Sequence, residues 1–227
     1  MNRKKIENQQ KAYWQTKLEE DKDLTYAVGS ESIAHKNLRY QQISKLFGND
    51  VNFSLLDVGA GVADYYSYLK QYFPDRKINY SALEITEEFS QIARNKYPEI
   101  KIQSSSILDS EDSIEVNDYV VLSGIFHQLG EASISEWETY LEEMIVKSFA
   151  LCKKGMAFNV LSNFVDYKKS GNYYCDLVDL QQFIVSKLSR FFTVNHAYPL
   201  FEATFYVYKR EFIADHYPQI EFQKYLK

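Results

Sequence analysis

The chain has 227 residues, of which 45% are hydrophobic and 25% are charged, so it is long enough for one domain with a substantial apolar core. Its net charge of -5 and its isoelectric point of about 5.5 do not suit a phosphate backbone, so we expect no nucleic-acid partner. Two cysteines without CxxC spacing, and no long apolar run, predict no metal site, no membrane segment and a reducing, cytoplasmic location.

The N-terminal residues have the pattern of two helices, over 6–20 and 31–47, and Gly48 supplies a stop signal. His35 and these helices could cover a site from above, with Tyr26 and the GSES stretch (29–32) as further lid elements. We divide the chain into an N-terminal helical extension or lid, a core and a C-terminal tail, covering 1–48, 49–211 and 212–227.

From residue 50 onwards, short apolar runs alternate with amphipathic helical segments. Seven runs predict strands, at 53–58, 78–84, 100–103, 118–124, 156–162, 191–198 and 203–210. This alternation indicates a parallel sheet covered on both faces, but the link between the last two runs is too short for a helical crossover. The predicted fold is α/β, with a seven-stranded, mostly parallel, Rossmann-like sheet, a C-terminal antiparallel hairpin and helices on both faces.

A glycine-rich bend follows the first predicted strand, in the segment LLDVGAGVADYY. Asp57 ends the strand, and Gly59 and Gly61 allow a tight turn and close approach of a ligand. A dinucleotide fingerprint needs a third glycine at the sixth position, where this chain has Asp64, and an acid is unfavourable beside a pyrophosphate. NAD and FAD therefore fit poorly, whereas a phosphate-free, positively charged cofactor would tolerate both acids.

Glu84 stands at the end of the second predicted strand, in ALEITEEF. Its two oxygens could accept hydrogen bonds from both hydroxyls of a ribose. The alternative is that Glu84 caps the helix that follows. Because the glycine bend and the acid occur together, we favour ribose binding.

These segments resemble the class I S-adenosylmethionine-dependent methyltransferases. LLDVGAGVADYY is similar to their first motif and ALEITEEFSQIARNKYP to their second, while SSSIL and NDYVVLSGIFHQL are similar to the third and fourth. The resemblance covers residues 50–210, and the segment 155–208 is also similar to a narrower group of uncharacterised bacterial small-molecule methyltransferases.

The resemblance implies S-adenosylmethionine as the cofactor and assigns a binding role to a set of residues. The methionine and ribose portion would be contacted by Asp57, Gly59, Ala60 and Gly61, and the ribose hydroxyls by Glu84. The adenine would lie against Ile85, Ser106 and Ile107, and Ser123 and Gly124 would form the floor beneath the sulfur. Two positions depart from the family pattern. Ser106 replaces a frequent acid, whose role could move to a neighbour such as Asp109, and Ala63 replaces a common third glycine.

Methyl transfer from a sulfonium is an in-line displacement, and His127 after the fourth strand is the candidate general base. The alternative is that His127 only shapes its loop. The polar and aromatic segment after the fifth strand predicts an acceptor-binding rim, although it could be an ordinary solvated loop. The predicted acceptor-binding residues are Asn159, Asn163, Asp166, Tyr167 and Tyr173. His196 and Tyr198, which end the sixth predicted strand, could join the rim.

The predicted function is methyl transfer to a small-molecule acceptor by a monomer or homodimer. The segment LSGIFHQL lacks the [DNS]PP[YFW] tetrapeptide of nucleic-acid amino methyltransferases. One alternative is a non-catalytic module that binds S-adenosylmethionine or S-adenosylhomocysteine, for which the serine at position 106 leaves room. Another is a nicotinamide-dependent oxidoreductase, which Asp64 disfavours.

Overall fold

The computed structural model describes residues 3–20, 32–109 and 114–226. Its helices are α1 to α7, at Arg3–Glu20, Ile33–Ser44, Asp64–Tyr72, Glu87–Lys96, Ile134–Ala150, Leu177–Lys187 and Arg210–His216. Its strands are β1 to β7, at Asn52–Val58, Lys77–Glu84, Lys101–Ser104, Asn117–Leu122, Cys152–Leu161, Phe192–Asn195 and Glu202–Tyr208. Two short 3-10 turns lie at Lys45–Phe47 and Ile220–Tyr225.

The seven strands form one sheet in the order β3-β2-β1-β4-β5-β7-β6. All neighbouring pairs are parallel except those made by β7, which runs antiparallel to both β5 and β6. The predicted α/β fold with a mostly parallel sheet and a C-terminal antiparallel hairpin is confirmed. The hairpin's second strand lies between β5 and β6, an order that the sequence pattern did not specify.

Alternating side chains of the central strands fill two apolar cores, one on each face of the sheet. Leu56, Val120 and Phe158 point to the face covered by α5 and α6, whereas neighbouring residues such as Leu55 and Tyr119 point to the face covered by α2, α3 and α4. Burial on both faces explains why the strands read as nearly continuous apolar runs. The loops after β1, β2, β3 and β4 meet at the carboxyl edge of this sheet.

Local signals fix the starts of several helices. The Ser32 side chain accepts a hydrogen bond from the backbone N–H of His35 at the start of α2. Ser133 and Glu136 form a reciprocal capping box at the start of α5. The Asp176 side chain accepts two backbone hydrogen bonds at the start of α6. The cap at Ser32 lies within two residues of the helix start that the sequence predicted at residue 31.

Some boundaries differ from the sequence-based expectation. β4 ends at Leu122 because Gly124 has a φ of +76°. β6 ends at Asn195, so His196 and Tyr198 lie in the loop after it rather than at its end. The predicted lid elements at Tyr26 and 29–31 lie outside the described residues. The domain boundaries stay predictions, and α7 crosses the one placed at residue 211.

Candidate functional site

One cavity of about 770 Å³ lies at the carboxyl edge of the sheet. On its bend side, beside β1, β2 and β3, it is lined by the glycine bend (59–62), by Glu84 and by 105–107. On its far side, beside β4, β5 and β7, it is lined by residues of α2, by His127 and by 198–202. Ligands of open α/β sheets bind at this edge, so this cavity is the candidate site.

The glycine bend brings its backbone to the cavity through residues with positive φ. Gly59 and Gly61 have φ angles of +74° and +55°, and Ala63, at the start of α3, has +59°. Ala63 thus adopts the left-handed conformation that the family's third glycine would reach without strain. A Cβ added to Gly59 would lie 2.4 Å from Cγ2 of Ile125, so the bend packs directly against the loop after β4.

Glu84 holds the bend and still faces the cavity. One of its carboxylate oxygens accepts from the backbone N–H of Gly61 at 2.8 Å, and the other accepts from that of Thr86 at 2.7 Å. Each oxygen therefore keeps a further acceptor position for a ligand hydroxyl. Burial raises the pKa of Glu84, and the two backbone hydrogen bonds oppose that rise. Glu84 thus braces the bend and the start of the next helix while it remains able to accept hydrogen bonds from a ligand.

Asp57 does not line the cavity, although the sequence placed it among the cofactor contacts. Its side chain is 2% exposed and lies below the bend, where it accepts a hydrogen bond from Tyr80 Oη at 2.5 Å. The reason is geometric, because Asp57 lies one residue before the end of β1 and its side chain is turned to Tyr80, whereas Val58, the last residue of the strand, lines the cavity. Gly59, Ala60, Gly61, Glu84 and Ile85 do line it, as the sequence suggested.

The third predicted motif also reaches the cavity, through Ser106 and Ile107. Ser106 replaces the acid that the family often has, and the structure brings a carboxylate to it from elsewhere. Ser106 Oγ donates to Glu7 of α1 at 2.5 Å, and Glu7 is 2% exposed. Asp109, the neighbour considered for this role, instead pairs with Arg3 and Lys4 of α1.

The N-terminal helix contributes part of the cavity wall. Gln10, Tyr13 and Trp14 of α1 line the cavity, and Gln10 Nε2 donates to the backbone oxygen of Gln128 at 2.9 Å. The sequence predicted a covering helix here but assigned none of these residues to the site. No local signal identifies Gln10 as part of the wall, because its partner Gln128 lies 118 residues away along the chain.

Some buried polar atoms of cavity-lining residues have no hydrogen-bond partner among the described residues. Examples are Ser105 Oγ, Ser123 Oγ and the indole Nε1 of Trp137. Buried polar groups are usually satisfied, so we expect a bound ligand or a water molecule to supply the missing partners. Together with the open acceptor positions of Glu84, they fit a group with hydroxyl and amino substituents, such as an adenosine.

A buried network on the far side connects four elements. Arg39 of α2 donates to both oxygens of Glu202 through Nε and Nη2, the latter at 2.6 Å. Asn159 Nδ2 donates to Glu202 at 2.6 Å and lies 3.2 Å from His127 Nε2, while Asn159 Oδ1 accepts from the backbone N–H of Gly124 at 2.8 Å. Asn159, one of the predicted acceptor contacts, is therefore buried behind the wall as the link between Glu202 and His127.

Charges in this network have shifted pKa values. Burial alone would raise the pKa of Glu202, but the charge of Arg39 and its hydrogen bonds lower it to about 2. Burial lowers the pKa of His127 to about 4, although the charge of Glu202 opposes that change. At neutral pH the network therefore holds an ionised glutamate, a charged arginine and a neutral imidazole.

Only some residues of the predicted acceptor-binding segment line the cavity. Tyr167 lines the cavity, as do Tyr174 and Tyr198. Asn163 instead donates to Asp176, the cap of α6, and Tyr173 Oη donates to Glu138 of α5. These two and Asp166 lie outside the cavity wall, because backbone hydrogen bonds join this segment to the loop at 127–129 and expose only one of its sides to the cavity.

Asp64 lines the cavity but is paired with two lysines, Lys36 and Lys96. Its charge is therefore compensated, which weakens the electrostatic argument against a pyrophosphate. The topology still separates the fold from plain Rossmann dehydrogenases, because β7 is inserted antiparallel between β5 and β6.

Within the described ranges, no helix combines the length and apolar character that would let it span a membrane. In the same residues, no group of three or more histidine, cysteine, aspartate or glutamate side chains is placed to hold a metal ion.

Solved methyltransferase structures have similar folds. Magnesium protoporphyrin IX methyltransferase from Synechocystis PCC 6803 with bound SAH aligns over 80% of this chain and 89% of that chain, with a TM-score of 0.57 and 12% identity. DhpI, in a SAM–HEP complex, aligns over 88% and 95%, with a TM-score of 0.61 and 10% identity. Human N-acetylserotonin methyltransferase in complex with SAM aligns over 83% of this chain and 59% of that chain, with a TM-score of 0.56 and 14% identity.

No protein-family model and no curated protein sequence matches the chain. Identities this low establish the architecture and leave the reaction to be argued from the site. The chain has the fold of the class I S-adenosylmethionine-dependent methyltransferases.

Proposed function

We propose that this chain is an S-adenosylmethionine-dependent methyltransferase that acts on a small molecule. The observation that carries the proposal is that one cavity is lined by the glycine bend and Glu84 on one side and by His127 and Tyr198 on the other. A cavity with two chemically different halves suits a cofactor on the bend side and an acceptor on the far side. Its volume of about 770 Å³ is in the range of small-molecule sites.

The bend-side residues would each hold one part of the cofactor. Glu84 would accept hydrogen bonds from the ribose hydroxyls, Ile85 and Ile107 would pack beside the adenine, and Ser106 would accept from its amino group. The bend backbone would follow the methionine portion, with Ser123 and Gly124 beneath the sulfur. Bound S-adenosylmethionine would supply a methyl group that is already activated by a positive charge, so the chain mainly has to align the acceptor and exclude water.

His127 is proposed to contact the acceptor, but its surroundings do not favour the predicted base role. The Asn159 amide is fixed by its bonds to Gly124 and Glu202, so its remaining N–H points to His127 Nε2. That contact occupies the lone pair of Nε2 and places the ring proton on Nδ1. A pKa near 4 further weakens the imidazole as a proton acceptor at neutral pH.

Calorimetry with S-adenosylhomocysteine tests the cofactor half of the proposal. The wild-type chain should bind it with a micromolar dissociation constant, and NADH should not bind. Glu84→Gln should weaken binding by about 1–3 kcal/mol, because Gln has only one acceptor oxygen and no charge. Glu115→Gln is the matched control, since that side chain is 82% exposed and lies outside the cavity wall. Unchanged affinity in Glu84→Gln would remove Glu84 from the site, and tight NADH binding would contradict the proposal.

Transfer of a labelled methyl group from S-adenosylmethionine to the small-molecule fraction of a cell extract tests the catalytic half. Labelled product is expected with the wild-type chain. A non-catalytic module that binds S-adenosylmethionine or S-adenosylhomocysteine is the second candidate, and the serine at position 106 favours it. Binding without transfer on any extract would support that module instead.

A further inference from the structure

The far side of the cavity contains a guanidinium group that is only partly used. Arg39 is 7% exposed, and its Nε and Nη2 are committed to Glu202. No described residue accepts a hydrogen bond from its Nη1, and Arg39 lines the cavity. A Cβ placed on Gly124 would lie 3.0 Å from that Nη1, so the unused donors lie beside the loop after β4.

A second donor lies in the same wall. Because His127 Nε2 faces the amide of Asn159, the neutral imidazole carries its proton on Nδ1. No described residue accepts from that Nδ1, and His127 also lines the cavity. Both donors depend on Glu202, which holds Arg39 directly and holds His127 through Asn159.

We propose that Arg39 Nη1 and His127 Nδ1 together bind an anionic oxygen group of the acceptor, with Glu202 as the residue that positions both donors. This inference rests on the proposed function and narrows its acceptor to molecules that carry a carboxylate or a phosphonate-type group. A buried guanidinium with free N–H groups suits such an oxyanion, because charge-assisted hydrogen bonds to carboxylates and phosphates are the strongest it makes.

The charges around the donor pair favour an anion over a cation. Glu202 is the carboxylate in this part of the wall, and its oxygens already accept from Arg39 and from Asn159. The far side therefore carries the Arg39 guanidinium beside a carboxylate whose charge is already compensated. The other acids of the cavity, Glu84 and Asp64, lie on the bend side.

The organic part of the acceptor would meet aromatic side chains. Tyr40, Tyr167, Tyr174 and Tyr198 line the cavity. Tyr198 Oη is bonded to Thr204, which keeps its hydroxyl occupied. Aromatic acids are therefore suitable probes, because a ring can pack against these tyrosines while the acid reaches Arg39.

The test is titration of the full chain, saturated with S-adenosylhomocysteine, with four benzene derivatives. The probes are benzoate, phenylphosphonate, benzyl alcohol and benzylamine, and binding is followed by NMR. Either anion should bind at least tenfold more tightly than the alcohol and the amine, and the tighter of the two anions identifies the preferred group. Equal binding of all four probes would overturn the inference.

Variants separate recognition from folding. Arg39→Gln should abolish the preference for anions, and Arg210→Gln, at a side chain that is 59% exposed, should preserve it. Because Arg39→Gln leaves Glu202 unpaired, the double variant Arg39→Gln/Glu202→Gln removes both charges together. This double variant should still bind S-adenosylhomocysteine and should also show no preference. Retained preference in the double variant would overturn the inference.

The link from Glu202 to His127 through Asn159 has a separate spectroscopic readout. The ¹⁵N shifts of His127 should report the Nδ1–H tautomer in the wild-type chain and a mixture of tautomers in Asn159→Leu, with the anion preference reduced in parallel. Unchanged tautomers in that variant would contradict the link through Asn159. If S-adenosylhomocysteine itself fails to bind, the proposed function fails. If it binds while the anion preference is absent, only this inference fails.

Discussion

At the scale of single residues, Asp57 shows how a motif position can serve the fold instead of a ligand. One oxygen accepts from Tyr80 Oη, and the other is buried without a partner among the described residues. Burial raises the pKa of Asp57 to about 7, with the hydrogen bond from Tyr80 opposing and the charge of Glu84 adding to the rise. The carboxyl group is thus near its titration midpoint at neutral pH.

The substitution Asp57→Asn should change how stability depends on pH. The unfolded aspartate has a pKa of about 3.9, so the folded state holds its proton more tightly, and the resulting stabilisation is lost as the pH rises from about 4 to about 7. Asn cannot titrate. The free energy of unfolding of the variant, minus that of the wild type, should therefore rise by on the order of 2–4 kcal/mol between pH 4.5 and pH 8.

Urea unfolding at several pH values measures this difference. Subtraction of the wild-type curve removes the contribution of His127, whose lowered pKa acts with the opposite sign in the same range. Asp75→Asn, at an exposed position, is the matched control for the loss of a carboxyl group. A pH-independent difference for Asp57→Asn would show that Asp57 titrates normally.

The sequence could identify residues whose role is encoded by neighbours along the chain. Gly59 and Glu84 stand in recognisable motifs, so their places in the cavity wall could be predicted. Glu7 and Arg39 could not, because their partners Ser106 and Glu202 lie 99 and 163 residues away. One signal was available for the second pair: Glu202 is an acid at the start of the apolar run EATFYVY. A charge in a buried strand implies a partner, but not which one.

At the scale of elements, the bend after β1 and the loop after β4 form one packed unit. Gly59 donates its backbone N–H to the Leu83 oxygen at 2.8 Å and leaves no room for a side chain beside Ile125. The bend after β1 and the loop after β4 can therefore lie this close only because Gly59 has no Cβ. Gly48 offers a comparison, because it also has positive φ but has nothing within 4 Å of an added Cβ.

Gly59→Ala should destabilise the fold more than Gly48→Ala. Both glycines have a positive φ, but only Gly59→Ala places a Cβ 2.4 Å from Ile125. Such overpacking typically costs about 1–3 kcal/mol more. Denaturant unfolding of both variants measures the difference.

A double variant isolates the contact. Ile125→Ala removes the Cγ2 atom that the new methyl group would meet, so the added cost of Gly59→Ala should largely disappear in that background. Equal destabilisation by the two glycine substitutions, or a cost that persists in the Ile125→Ala background, would show that the loops are not held by this approach.

The strands and helices themselves were predictable because burial on two faces and helical periodicity leave strong patterns. The residues at which the strands end were harder to predict. The end of β6 at Asn195 depends on its pairing with β7, since Asn195 lies opposite Thr204 and the chain then leaves the sheet. Pairing of this kind involves residues outside any local window, so the apolar run up to residue 198 read as a longer strand.

At the scale of the whole molecule, α1 connects loops that are far apart in sequence. It contacts Asp109 after β3, Gln128 after β4 and Glu88 at the start of α4. Most of these contacts are polar, and Ile6 is its buried apolar residue. A helix held mainly by polar contacts over a cavity has a smaller hydrophobic anchor than the helices packed on the sheet.

The overall sheet could be predicted from the alternation of strands and helices, but the covering role of α1 could only be guessed. Its sequence is polar, and its low apolar content gives no face that specifies a docking surface. What places it is a set of charged and amide groups that match three loops at once. The order of β7 and β6 was similarly unspecified, because a hairpin can attach to a sheet edge through either strand.

Hydrogen exchange should reveal whether α1 closes over the cofactor. Gln10, Tyr13 and Trp14 line the cavity, so openings of α1 that expose it would require loss of bound S-adenosylhomocysteine. At a ligand concentration 100 times the dissociation constant, such openings cost about 2.7 kcal/mol more, which corresponds to about 100-fold slower exchange. We therefore expect added protection in Arg3–Glu20 together with the glycine bend, measured by mass spectrometry.

The helix α7, at Arg210–His216, provides the internal control. It packs through Phe212 against Tyr208 and Tyr119, away from the cavity wall, so it can open locally without release of the ligand. Its exchange should stay unchanged. Protection of the glycine bend without any protection of α1 would mean that the ligand enters and leaves past a fixed helix, and the N-terminal segment would then be a permanent wall of the site instead of its cover.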